Sequence, residues 1–243
     1  KLREKIPNIC FQMLLRGANG VGYKSYPDNV VQDFVRVAAK NGMDVFRIFD
    51  CFNDVEQMKV SINAVREAKK VAEVAMCFTG DFLNPKEKIY TLEYYTDLCK
   101  KCVDAGAHMI AIKDMAGLLK PGHCKPLVSA IRSVCDLPVH FHTHNTSSAQ
   151  LATLHAMTDA GCDVVDGCFA SFADGTSQPS LNAFVATRAG MDRDPLVDYR
   201  LLEPLDQYWA FVRDMYSPFE SGMKAMTARV FEHQIPGGQY SNM

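Results

Sequence analysis

The chain has 243 residues, 48% hydrophobic and 22% charged, with a formal net charge of −2, so it carries enough apolar side chain for one sizeable core and is not disordered as a whole. Gly and Pro, at fifteen and eleven residues, are at ordinary levels, and no apolar run is long enough to span a membrane, which excludes collagen-like and transmembrane readings. A near-neutral balance offers no positive excess for a nucleic-acid partner, and nine Cys, an odd number, predict free thiols in a reducing compartment rather than a secreted disulfide framework.

Six short apolar runs begin near Ile9, Asp44, Val74, His108, Val139 and Asp163, spaced 35, 30, 34, 31 and 24 residues apart, each the length of one strand-plus-helix unit. The first closes at Arg16. After it, Val31, Phe34, Val35 and Ala38 make the apolar stripe of an amphipathic helix capped by Asp28 and ended at Asn41-Gly42. The second run closes at Asp50, and Asn53 is placed to cap a helix carrying Val55, Met58, Ile62 and Val65. The third leads to Thr79 and Asp81, and the fourth, entered through Ala105-Gly106, ends at Lys113-Asp114. The fifth ends at His142 and His144, and the sixth, after Ala160-Gly161, is followed by Thr176. A Pro-rich, polar passage begins after Gly190, so residues 1–190 read as the main domain and residues 191–243 as its helical extension, with Trp209, Phe211 and Tyr216 packing the tail.

Alternating strands and helices predict a parallel sheet. Ionisable or hydrogen-bonding residues close every run, and that distribution belongs to the active face of a (β/α)8 TIM-type barrel; an open doubly wound sheet would gather its site at one crevice. Arg16-Gly17-Ala18-Asn19-Gly20 has neither the GxGxxG nor the GKS/T pattern, which also favours the barrel. Six units are two short of closure. The chain opens at Lys1 without Met or signal peptide, so the first two units are expected to lie in a longer product.

His140-Phe-His142-Thr-His144 alternates on a strand, placing imidazoles on one face at steps of about 6.5–7 Å, where neighbours can share one cation. The plainer reading is hydrogen bonding within a core, and for the deeper His140 that reading is preferred. Lys113 either snorkels to the surface or sits in an ion pair, or, desolvated next to a metal, takes up carbon dioxide as a carbamate ligand; Asp114 beside it would be an acceptor behind the ligands. Arg16 offers a cationic fork for a carboxylate or enolate, with Tyr23 adding a phenol, against the alternative of an ion pair with Asp50. Thr176, in Asp174-Gly-Thr176-Ser-Gln-Pro-Ser180, otherwise reads as a helix cap, as does Ser177. Most thiols, Cys77 among them, read as inert buried sulfur.

The phrases Phe11-Gln-Met-Leu-Leu-Arg-Gly-Ala-Asn19, Tyr26-Pro-Asp-Asn-Val-Val31, Phe46-Arg-Ile-Phe-Asp50, Phe78-Thr-Gly-Asp81, Ile112-Lys-Asp-Met-Ala-Gly-Leu-Leu119, His142-Thr-His144, Thr176-Ser-Gln-Pro-Ser180 and Ile235-Pro-Gly-Gly-Gln-Tyr240 together resemble the carboxyltransferase domain of pyruvate carboxylases, in family order over almost the whole chain. The resemblance implies a metal-centred barrel that moves a carboxyl group from carboxybiotin to pyruvate, giving oxaloacetate. It implies that carbamylated Lys113, His142 and His144 hold a divalent metal, zinc, manganese or cobalt; that Arg16 and Tyr23 orient pyruvate and biotin; that Asp50 positions site groups; and that Thr176 shuttles a proton between the pyruvate methyl and biotin N1. It further implies biotin carboxylase and biotin carrier domains as partners, ATP and bicarbonate used elsewhere in the enzyme, and a homo-oligomer. Cytoplasmic location is expected, or the mitochondrial matrix if the source is eukaryotic.

The sequence departs from the family pattern at Asn145, where aspartate is usual, and in Gly167-Cys-Phe-Ala-Ser-Phe-Ala-Asp-Gly175. The first barrel strand of the family, with its ligand aspartate, is not in this sequence. The alternatives are the barrel of a biotin-dependent oxaloacetate decarboxylase or transcarboxylase, a keto-acid aldolase or lyase barrel without biotin, and an inactive structural remnant of a multidomain carboxylase.

Overall fold

The computed structural model describes residues 1–222 and 226–240. Strands β1 (Gln12–Leu15), β2 (Val45–Ile48), β3 (Val71–Cys77), β4 (Met109–Asp114), β5 (Val139–Thr143) and β6 (Val164–Val165) follow one another through the sheet in chain order. The helices are α1 (Leu2–Lys5), α2 (Asp28–Lys40), α3 (Val55–Glu67), α4 (Leu92–Asp104), α5 (Pro121–Arg132), α6 (Gln150–Asp159), α7 (Leu181–Arg188), α8 (Glu203–Tyr216), α9 (Val230–His233) and α10 (Gly237–Tyr240). One helix, α2 to α6 in turn, separates each strand from the next, because parallel neighbours need a crossover. Pairing is parallel between β1 and β2, β2 and β3, and β5 and β6. All six expected strands are present. The third starts earlier than its apolar run suggests: Lys69, at φ +55, breaks off the end of α3, and Val71 already pairs with Val45. Among the described residues no helix is long and apolar enough to cross a membrane.

Contacts divide the chain into two compact units. The first comprises Lys1–Cys77, Glu93–Ile112 and Ser133–Val139; the second comprises Phe78–Leu92, Lys113–Arg132 and His140–Met243.

In the first unit, α2 buries Val31 and Val35 while Phe34 and Ala38 stay half-buried, and α3 buries all four of its expected apolar residues. The expected caps differ. Asp28 lies inside the first turn of α2 without a capping bond, and Asp54 caps α3 by accepting from Glu56 N at 3.0 Å. Asn53 sits at φ +59, unsuited to a cap, which needs an extended backbone. Its amide grips both backbone groups of Cys77, donating to the carbonyl at 2.9 Å and accepting from N at 2.7 Å. Arg47 and Glu73, partners in the β2–β3 register, form a buried ion pair, and Gln12 donates to the other Glu73 oxygen at 3.0 Å. Pairing is what makes two buried charges tolerable. The sequence also contains one CxxC spacing, Cys99-Lys-Lys-Cys102, on α4; both cysteines are buried and burial pushes their thiols up to about 12, so neither is a reactive thiolate.

In the second unit, α7 is capped by Ser180, whose Oγ accepts from Ala183 N at 3.2 Å, so neither Thr176 nor Ser177 is the cap. Trp209 of α8 meets Phe172 edge-on at 6.0 Å, but Phe211 and Tyr216 are 65% and 62% exposed and do not pack the tail. Phe211, two residues beyond Trp209, points about 200° around the helix, and Tyr216, its last residue, rests on exposed Phe219. At the expected glycine joints, Gly42 and Gly106 in the first unit and Gly161 in the second have φ of +104, +101 and +99, a backbone that residues with a β-carbon avoid.

Candidate active site

The second unit carries the histidine strand. Register pairs His140 with Val164 and Phe141 with Val165, so the next step along both strands sets His142 beside Asp166. That carboxylate accepts from His142 Nδ1 and from His140 Nε2, each at 2.7 Å. His140 is buried and serves this bond. His144, just past the strand, donates its Nδ1–H to the carbonyl of Thr176 at 2.6 Å. With Nδ1 of both rings bonded in this way, a neutral ring at either position keeps its lone pair at Nε2. The two Nε2 atoms are 3.4 Å apart with the rings at 86°. Burial holds His144 below the usual histidine pKa; the Thr176 carbonyl pulls the other way and the charge of Lys113 adds to the depression. His144 is therefore neutral near pH 7, the form that binds a cation.

Lys113 is the penultimate residue of β4 and is buried, which removes the snorkelling alternative. Asp114 does not stand behind it as an acceptor alone. Its carboxylate takes the N–H groups of Leu118 and Leu119 at 2.8 and 2.9 Å and the hydroxyl of Thr143 at 2.9 Å, folding the loop after β4 onto β5, while burial pushes its pKa up to about 6. That loop passes so close that a β-carbon at Gly117, φ +71, would lie 2.2 Å from the His144 carbonyl oxygen. Only glycine fits.

A second histidine cluster follows β3. His123, fully buried, accepts from Lys120 N at Nδ1 (3.0 Å) and donates from Nε2 to Asp81 (2.7 Å), and Lys120 Nζ reaches the other Asp81 oxygen at 2.6 Å. Burial raises the Asp81 pKa, but these two donors outweigh it and hold the group below the usual carboxylate range. Thr79 donates its hydroxyl to Gln234 Oε1 at 3.0 Å.

In the first unit, the Arg16 guanidinium lies over the Tyr23 ring, 4.5 Å from its centroid, and Tyr23 is 85% exposed. Among the described residues Arg16 makes no ion pair with Asp50. The Asp50 carboxylate instead accepts from Phe52 N at 2.9 Å and Asp54 N at 3.1 Å, shaping the turn into α3. The structure thus brings Arg16 to Tyr23, and His142 to His144 with Lys113 and Thr176 around them. Thr176 enters through its carbonyl; its hydroxyl makes no hydrogen bond among the described residues. Sequence reasoning passes over Asp166, Gln234 and His123, although it marks Asp81, the carboxylate of the His123 cluster, as the end of the third run. Of the three, only Asp166 leaves a signal, as the residue level with His142 once β6 is aligned beside β5. Among the described residues no three His, Cys, Asp or Glu side chains form a metal-holding group.

The HMGL-like family model matches residues 52–202, more than half of the chain. Over its whole length the chain is 50% identical to pyruvate carboxylase of Staphylococcus aureus and of Bacillus subtilis, covering 21% of each. It is 48% identical to the mitochondrial pyruvate carboxylase of Mus musculus, again covering 21%. The chain therefore spans about a fifth of the length of the curated relatives it matches. Among solved structures, the carboxyl transferase domain from Rhizobium etli pyruvate carboxylase is 50% identical and superimposes with a TM-score of 0.97 over 99% of this chain and 40% of that one. The same domain solved with pyruvate and biocytin gives the same TM-score and identity, over 41% of its length. The expected barrel-type α/β fold holds, with six strand–helix units in this chain.

Proposed function

The chain belongs to the HMGL-like family, and from that premise we propose that it is the carboxyltransferase part of a pyruvate carboxylase, moving a carboxyl group from carboxybiotin to pyruvate to give oxaloacetate. The observation that carries the proposal is the pair of imidazoles whose Nε2 atoms converge to 3.4 Å. Such a donor set suits a divalent cation, zinc, manganese or cobalt. The third holder in this reading is Lys113, which fits the lack of a third such side chain, His, Cys, Asp or Glu, among the described residues. Its neutral amine adds to carbon dioxide and releases a proton, leaving a carbamate oxygen as donor. When bound, the cation supplies Lewis acidity to the keto acid.

This chain's own groups do the rest. The Arg16 guanidinium binds the carboxylate or enolate oxygen of pyruvate, and Tyr23, held against it, presents a phenol to pyruvate or biotin. Asp50 fixes the turn that follows β2 and so positions rather than reacts. The methyl group loses a proton, its carbon bonds to the carboxyl carbon as the bond to biotin N1 breaks, and N1 takes up a proton. Thr176 offers two groups to this chemistry: its carbonyl orients His144, and its hydroxyl is the proposed carrier of the proton from the methyl group to N1.

Carboxybiotin would come from a biotin carboxylase domain using ATP and bicarbonate and would arrive on a biotin carrier domain, in a homo-oligomeric enzyme. All nine cysteines are thiols, in keeping with a reducing compartment, the cytoplasm or a mitochondrial matrix. The test is pyruvate carboxylation by the full-length protein, with biotin carboxylation measured separately. Oxaloacetate decarboxylation without net carboxylation would favour the decarboxylase alternative, and a metal-free, inactive protein would favour the remnant.

A further inference from the structure

The stretch from Thr227 to Gly237 is tied at three places to loops that leave strand ends. Thr227 N donates to the Thr146 carbonyl at 2.9 Å, Gln234 Oε1 accepts from the Thr79 hydroxyl at 3.0 Å and from Gly80 N at 3.3 Å, and Gly237 N donates to the Met115 carbonyl at 2.9 Å. These ties bring buried Gly237 against the His144 ring. A β-carbon at position 237 would lie 3.1 Å from His144 Nδ1, 3.3 Å from Cγ and 3.4 Å from Cβ.

The backbone does not itself require glycine there. Gly237 opens α10 with φ outside the left-handed range, where alanine is the better helix former. The missing side chain therefore serves the neighbour. The tightest contact falls on Nδ1, the nitrogen whose proton goes to the Thr176 carbonyl. A methyl group there would displace the ring by a few tenths of an ångström, and Nε2 would move with it.

We propose that Gly237 is a positioning residue that seats the His144 imidazole, a role that rests on the reading of His142 and His144 as metal holders. The hydrogen-bonded stretch leading to it acts as a strap, and the absence of a β-carbon at its tip sets where Nε2 points. Outer groups that orient a metal-binding histidine change affinity by about 10–100-fold when altered.

Cobalt(II) titration of the metal-free full-length protein, followed by its visible absorption, tests this. Gly237→Ala should bind cobalt about 10-fold more weakly, with shifted ligand-field bands. Gly238→Ala, whose β-carbon meets nothing within 4 Å, should bind like the wild type. Cobalt affinity and bands in Gly237→Ala equal to those of Gly238→Ala would overturn the proposal. A second measurement separates this contact from the metal reading: thermal unfolding of the metal-free protein in a double-mutant cycle. Gly237→Ala should lower the melting temperature beside His144 and lower it less, or raise it, in a His144→Ala background. Additive effects would overturn the contact even if cobalt binds. If instead the wild type, His142→Ala and His144→Ala all bind cobalt alike while the cycle stays non-additive, the metal-site reading fails and the positioning role toward it is overturned with it.

Discussion

The second unit holds two arrangements of histidine and carboxylate that a residue list does not tell apart. At His123 both ring nitrogens are committed, Nδ1 as acceptor from Lys120 N and Nε2 as donor to Asp81, and the ring is edge-on to Phe78 and Phe82 at 5.7 and 4.6 Å. At His142 and His144 the carboxylate and the carbonyl engage Nδ1, and both Nε2 atoms turn to one point. The first arrangement closes a loop; the second is the one we propose as a ligand pair. On that reading, what separates a structural histidine from a metal-binding one is which nitrogen is left to a ligand and where it points, and neither burial nor an acidic partner decides the matter.

If that distinction holds, the largest effects fall on the converging pair. In the full-length protein, His142→Ala or His144→Ala should reduce metal content from about one per domain to a small fraction of that and pyruvate carboxylation by more than about 10²-fold; metal analysis with the carboxylation assay checks this, and full metal content in either variant breaks the comparison. Asp166→Asn keeps the shape but weakens the acceptor for both His140 and His142, so metal affinity should fall by about 10–100-fold in a chelator competition.

His123→Ala should do the opposite. It leaves metal content at the wild-type level while lowering stability by about 2–4 kcal/mol, because a buried ring and its bonds are lost, as denaturant unfolding of the metal-free protein would show. The same cluster sets a pH dependence. Asp81 has its folded pKa below the ordinary 3.8, burial opposing and the Lys120 and His123 bonds prevailing, so its contribution is present above pH 3.8 and is lost as pH falls through the folded value. His123 is also held below its ordinary 6.5, chiefly by burial, so the unfolded state takes its proton first and stability falls as pH drops below 6.5. Asp81→Asn should flatten the stability profile below about pH 4; an unchanged profile would show that the latch is idle.

The sequence makes much of the fold legible because period and punctuation are local properties. The apolar runs fall on all six strands, and Met58, Ile62 and Val65 are buried as their spacing predicts. Cap choice is less legible, since Asn53 and Asp54 are adjacent and equally suitable by type; the left-handed backbone at Asn53 decides for Asp54. Within the site, His142 and His144 stand out by alternation, but Asp166 becomes visible only through the β5–β6 register. Gly237 lies 93 residues beyond the ring it touches, and no pattern along the chain brings the two together. Arg16 shows a different limit. Its type suits a substrate carboxylate or an ion pair with Asp50 equally; the turn bonds at Asp50 and the ring contact at Tyr23 argue against the ion pair.

Thr176 is where two roles predict different results. Its carbonyl accepts the His144 Nδ1 proton at 2.6 Å, and any residue type offers the same carbonyl. If that carbonyl is its whole role, Thr176→Ala should leave metal affinity unchanged, stability within about 0.5 kcal/mol and turnover within a few-fold. Were the hydroxyl to carry the methyl proton, the same change would reduce turnover by about 10²–10⁴-fold with metal content intact, because the lost interaction belongs to the transition state. The carbonyl has its own test. Replacing Ser177 by the corresponding α-hydroxy acid turns the Thr176 carbonyl from amide to ester, a poorer acceptor, and should weaken metal binding by about 5-fold. Because that change also removes the Ser177 N–H bond to the Asp174 carbonyl, replacing Gly175 by glycolic acid, which makes the Asp174 carbonyl the ester and leaves that of Thr176 an amide, serves as the control for weakening that bond. Weaker metal binding with the ester and an ordinary turnover with Thr176→Ala assign the role to the backbone; the reverse pair of results would return it to the hydroxyl.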